Sequence, residues 1–236
     1  GGVVKLTIAD NITVQNGGAI SAVTFGAGDA GDVTITARNL LVDRQNAQSP
    51  TGIFSSAELG KGDGGTVNLT LSGTLTARNG GEIRASTFGV GDAGDVTITA
   101  RNLLIDGRNT SLFTGIASSA ESNSTGDGGT VNLTITDTLT VRNGGRISTT
   151  STTTNGGAIA IGVDHLRLFN GGAISATVNG GFDTEGGNVT INSGNIVALN
   201  GSTITAQANQ GRGGNILINA EVFLHDAAST DQVLNA

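Results

Sequence analysis

Gly-x-aliphatic-x-aliphatic recurs eight times along this chain, at Gly2, Gly31, Gly65, Gly94, Gly129, Gly157, Gly187 and Gly214. The intervals are 29, 34, 29, 35, 28, 30 and 27 residues. The first four combine pairwise into 63 and 64, so a two-unit block has been duplicated. The copies are close: residues 31–41 and 94–104 both read GDVTITARNLL, and residues 66–70 and 130–134 both read TVNLT. A unit this short cannot bury its own apolar face, and it gains a core only by stacking on its neighbours.

Within a unit the period is two. Val33, Ile35 and Ala37 alternate with Thr34, Thr36 and Arg38, and Val67, Leu69 and Leu71 with Asn68, Thr70 and Ser72. Such alternation predicts strands with one buried face. A second short strand follows (Ile12, Thr13, Val14, or Leu75, Thr76, Ala77), then an Asn-Gly-Gly turn at Asn16, Asn79, Asn143 and Asn170, with Asn-Gly-Ser at Asn200. Asn tolerates the left-handed region and Gly enters it freely, and stacked Asn side chains can bond along a ladder. A third strand (AISA at 19–22, EIRA at 82–85) and a Gly/Asp turn close the unit. No unit carries a helical period, and about 29 residues is short for a propeller blade.

The expectation is an all-β fold: a right-handed parallel β-helix, or β-solenoid, of about eight rungs of three short strands. Rungs about 4.8 Å apart make a rod section of about 34 Å from first to last. Residues 1–236 read as a single β-helix domain, with 221–236 a fading repeat or tail. With no Met and a repeat in register from its first residues, the chain reads as a section of a longer rod.

Composition removes several function classes. The net charge is −7, and the only aromatics are seven Phe, so neither the basic footprint nor the stacking platform of a nucleic-acid binder is expected. No apolar run approaches the ~18–20 residues of a membrane span, and no signal-peptide pattern is present. With no Cys, disulfides and thiolate metal sites are excluded.

Four features bear on chemistry. Units two and four carry longer excursions, residues 43–51 (DRQNAQSPT) and 106–114 (DGRNTSLFT), two rungs apart and expected at one corner. Such loops are either a binding face or neutral drift in a solvent turn. Asp29, Asp63, Asp92 and Asp127 each precede a rung-starting Gly by two residues, and their column continues as Asn155, Glu185 and Arg212. Stacked carboxylates suggest a calcium column, while turn chemistry explains them as caps on backbone N–H groups. An outward Thr column (Thr7, Thr36, Thr70, Thr99, Thr134) suits an ice-binding face or simple strand propensity. For catalysis the sequence offers little. Arg38 and Arg101 lack carboxylates in the matching strand, His165 and His225 are singletons, and Glu58, Glu82, Glu121 and Glu185 read as scattered. No enzyme is therefore expected.

GDVTITA at 31–37 and 94–100, NGGAISA at 16–22 and 170–176, and RGGNILINA at 212–220 carry a resemblance. The chain resembles the repeat region of filamentous-haemagglutinin-like exoproteins, the secreted partners of two-partner (type Vb) systems in Gram-negative bacteria. That resemblance implies a long β-helix, export through an outer-membrane transporter partner, and a secreted or cell-surface location. It also implies adhesion to a host or neighbouring-cell surface or glycan, and it brings no catalytic residues. A carbohydrate-binding or carbohydrate-cleaving β-helix is the alternative, and a calcium-stabilised solenoid a further one.

Overall fold

The computed structural model describes residues 1–108, 110–121, 124–226 and 233–236. The elements are β-strands without helix among the described residues, and all their pairings are parallel. The chain is a right-handed parallel β-helix. Its first-position strands are Val3–Thr7, Asp32–Ala37, Val67–Leu71, Val96–Asp106, Thr130–Arg142, Ala158–Phe169, Val189–Leu199 and Ile216–His225, each bonded to the next.

In the first three rungs a separate second strand follows, at Asn11–Gln15, Asn39–Asp43 and Thr74–Arg78. From the fourth rung on, the first and second strands run together as one. The extra residues at that bend are absorbed as register shifts between Ala100 and Asn102 and between Ile135 and Thr138. A bulge of this kind bends a strand without ending it. The third-position strands form the second sheet, among them Ala19–Ser21, Thr51–Phe54, Gly81–Arg84, Gly115–Ala117 and Arg146–Ser148. The strand through Val222, Phe223 and Leu224 carries the repeat on to His225, and Leu234 pairs with Ile204. Residues 227–232 of the expected tail lie outside the described residues.

The core consists of aliphatic columns. Leu6, Ile35, Leu69, Ile98, Leu133, Ile161, Ile191 and Ile218 stack in one register. Ile20, Ile53, Ile83, Ile116, Ile147, Ile174 and Ile204 stack in the second sheet. Interior members of both columns have essentially no exposed surface. Of the paired leucines, Leu40 and Leu103 point inward at 1% exposure, while Leu41 and Leu104 are half-buried on the outer side.

The rung-starting glycines are required by close approach. A Cβ on Gly31, Gly65, Gly94, Gly129, Gly157, Gly187 or Gly214 would overlap the carbonyl oxygen of the equivalent glycine one rung earlier. At the opposite corner Asn16, Asn79, Asn143, Asn170 and Asn200 all have φ between 50° and 57°, and each is followed by a positive-φ Gly. The Asn ladder is real. Asn200 donates to Asn170 at 3.0 Å and Asn170 to Asn143 at 3.2 Å, and Asn143 donates to Asp106 at 2.8 Å. In rungs two and four Asp43 and Asp106 take the acceptor role, with Asn79 donating to Asp43 at 3.0 Å.

Candidate functional site

The Asp column is built as its spacing predicts, and one oxygen of each Asp is engaged. Asp29 Oδ1 accepts from the N–H of Asp63, Asp63 from Asp92, Asp92 from Asp127, and Asp127 from Asn155, at 2.8–3.0 Å. Asn155 then accepts from Glu185 at 3.1 Å. Each side chain caps the next rung's turn. Among the described residues no three His, Asp or Glu side chains are grouped to hold a metal ion. The outward Thr column also stands in register, ending in Gly162, Asn192 and Asn219. His165 is bonded to Asn195 on the outer face. Arg38 and Arg101 meet carboxylates one rung away, Asp10 at 4.0 Å and Asp137 at 3.5 Å, all exposed.

The excursions share a corner. Thr51, ending the first, accepts from the Gly17 N–H at 2.7 Å, and Thr114, ending the second, accepts from the Gly80 N–H at 2.8 Å. Asn109, within the second, lies outside the described residues. At their start Asp43 and Asp106 face Arg78 and Arg142 in a column of alternating charge, with ion pairs at 2.8 and 2.9 Å. Burial alone would raise both aspartates. Hydrogen bonds from Asn79 and Arg78 to Asp43, and from Asn143, the Arg108 N–H and Arg142 to Asp106, outweigh it and hold both below the ordinary carboxylate value.

Just before these closing threonines, Pro50 and Phe113 occupy equivalent places, and both fold onto the outer face of the second sheet. There the structure joins residues that read as scattered. Phe25, Glu58, Phe88 and Glu121 follow one another on adjacent rungs, each next to a bridge residue: Thr24, Ala57, Thr87 and Ala120. Beside them Glu82 and Arg84, on one strand and one face, form an ion pair at 2.7 Å. Phe88 and Phe113 lie against the Arg84 guanidinium at 5.6 and 5.9 Å, a cation–π arrangement. Glu58, Glu82 and Glu121 thus surround one arginine, and only Glu185 stays apart, against Arg212.

This face encloses a cleft of about 360 Å³, with Phe25, Pro50, Phe54, Glu58, Glu82 and Arg84 among its lining residues. A Cβ on the neighbouring Gly52 would overlap the Glu82 carbonyl oxygen and the Phe54 ring, which folds back over that position. Burial pushes the Glu82 carboxyl up, offset in part by Arg84 and Arg44 and reinforced by Glu121. Glu121 is raised chiefly by burial too, offset by Arg84 and reinforced by Glu58. Arg84 Nε is buried without a partner.

The signal for this site was in the duplicated block, where Phe25 and Phe88, and likewise Glu58 and Glu121, are 63 residues apart. Glu82 and Arg84 have no such signal, since the equivalent positions of rung one are Ala19 and Ser21. No protein-family model, curated protein or solved structure matches the chain. No helix among the described residues is long and apolar enough to cross a membrane.

Proposed function

We propose that the chain is a structural and adhesive section of a secreted or cell-surface protein: a stiff rod that presents the two-excursion corner to a host or neighbouring-cell surface. The observation that carries this reading is the uninterrupted stack. Aliphatic columns and turn ladders pass from rung to rung, while the two long departures from the repeat leave it at one corner and fold onto one face. Contacts made only between neighbouring rungs stiffen a rod and transmit load along it. They also suit export through an outer-membrane transporter of a Gram-negative cell, since such a chain can fold rung by rung as it emerges, and it needs no disulfide. The role is presentational rather than catalytic.

Beads coated with the chain should adhere to cells or to immobilised glycans. Replacing residues 43–51 and 106–114 with Asn-Gly-Gly should abolish adhesion and leave the circular dichroism spectrum unchanged. Adhesion that survives trimming would remove the corner from the mechanism. A chain that never adheres would overturn the adhesive role.

The alternative, a carbohydrate-binding or carbohydrate-cleaving β-helix, draws support from the cleft, where raised carboxyls stand beside an arginine.

A further inference from the structure

We infer that the cleft beside Pro50 binds a short uncharged saccharide, with Phe25 stacking on the sugar ring, Glu58 and Glu82 accepting from hydroxyls and Arg84 donating to them. The inference rests on the reading of this corner as the molecule's contact region and names what it contacts.

Size comes first. About 360 Å³ is at the small end of ligand pockets, room for a short sugar rather than a folded partner. The apolar wall comes next. Phe25 is 71% exposed in a chain with only seven aromatics, so folding does not account for its position at the cleft. This exposed ring, next to Pro50 and Phe54, offers an apolar surface of the kind a pyranose ring presents in return.

The polar wall decides the charge of the ligand. Two lining carboxylates, Glu58 and Glu82, with Glu121 acting on them from the next rung, oppose a simple anion. A simple cation meets Arg84, held in place by two phenyl rings, with Arg44 near Glu82. Donor and acceptor lie side by side, and a hydroxyl group, which both donates and accepts, satisfies the two at once. An uncharged ligand also enters a half-buried cleft without the desolvation cost of an ion.

The test is an NMR titration of the purified ¹⁵N-labelled chain. The uncharged probes are methyl β-glucopyranoside, methyl β-galactopyranoside and N-acetylglucosamine. The charged ones are galacturonate, glucosamine and putrescine. At least one uncharged sugar should give saturable shifts confined to amides near Phe25, Phe54, Glu58 and Arg84. Phe25→Ala and Glu58→Gln should each weaken it about tenfold. Neither side chain is fully buried, so both variants should keep the parent melting temperature. Arg84→Lys, which keeps the charge and loses the planar fork of guanidinium donors, should weaken binding as well. The inference is overturned if no uncharged sugar binds at concentrations to about 50 mM, well beyond the millimolar range of ligands with few contacts. Binding indifferent to Phe25→Ala and Glu58→Gln, or confined to putrescine and glucosamine, or confined to galacturonate, overturns it equally. Adhesion lost on trimming the excursions, with no sugar binding, overturns this inference and leaves the adhesive reading standing. Sugar binding with adhesion unaffected by trimming does the reverse.

Discussion

Asp43 and Asp106 show how a single side chain is made tolerable in a stacked structure. Each is buried, and each is answered by an arginine on the next rung and by the amide of an asparagine. Their lowered pKa makes their contribution present above the ordinary carboxylate value and lost as pH falls through the folded value. Glu82 and Glu121 have the opposite sign. Their raised pKa means that stability is fully present below the ordinary glutamate value and lost as pH rises through the folded one. The melting temperature should therefore rise as pH is lowered toward the ordinary glutamate value, then fall as it drops below the ordinary aspartate value. Glu82→Gln with Glu121→Gln should flatten the upper limb, and Asp43→Asn with Asp106→Asn the lower, in melting curves taken across that range. A different chemistry holds Asp29, Asp63, Asp92 and Asp127, whose oxygens accept backbone N–H groups. Neighbours about 5 Å apart near water's dielectric repel by under ~1 kcal/mol, which such bonds offset. Melting with chelator and with millimolar calcium at constant ionic strength should give one temperature. A calcium-dependent rise would instead establish a metal column, since a ligand of the native state stabilises it by mass action.

At the scale of the rung, two kinds of glycine can be told apart. Gly94 starts a rung with its backbone against Gly65, and a methyl group there has nowhere to go. Gly162 sits mid-strand in the outward Thr column, where a Cβ finds its nearest neighbour, the Leu133 carbonyl oxygen, at 4.0 Å. Gly94→Ala should lower stability by several kcal/mol or prevent folding, as overpacking against rigid backbone does. Gly162→Thr should raise it by about 0.5–1 kcal/mol, because a strand-favouring residue replaces a flexible one. Urea unfolding of the two variants reads both outcomes. The excursions belong to this scale as well. Their start and finish are legible in the sequence as a departure from Asn-Gly-Gly. That Pro50 and Phe113 fold back onto the second sheet is not, because nothing local aims a loop at a particular face.

Across the whole molecule the core is a one-dimensional stack, so the effect of a lesion depends on its neighbours above and below. Ile35 lies between Leu6 and Leu69 with no exposed surface. Ile35→Asp places an unpaired charge in that column at a cost of several kcal/mol. It should lower the melting temperature sharply and raise amide exchange first in rungs one to three, which depend on that contact for their core. A variant that melts like the parent would mean that the register is wrong.

The rung is the part of this protein that its amino acids determined locally. Alternation at Val33, Ile35 and Ala37 set which face is buried, Asn-Gly set the left-handed corner, and the Gly2 to Gly214 series set the interval at which strands meet. Each of these is a property of a few adjacent residues, repeated until stacking leaves no other arrangement. The Phe25, Glu58, Phe88 and Glu121 column needed more, because side chains about 30 residues apart become neighbours only after each rung has closed. The environment of Glu82 and Arg84 was decided by tertiary structure alone. One ring on the guanidinium, Phe88, belongs to the same rung as Arg84, while the other, Phe113, comes from an excursion folding across that rung's strand. Periodicity carries no information about that contact, because it depends on where the backbone of a non-repeating loop comes to rest.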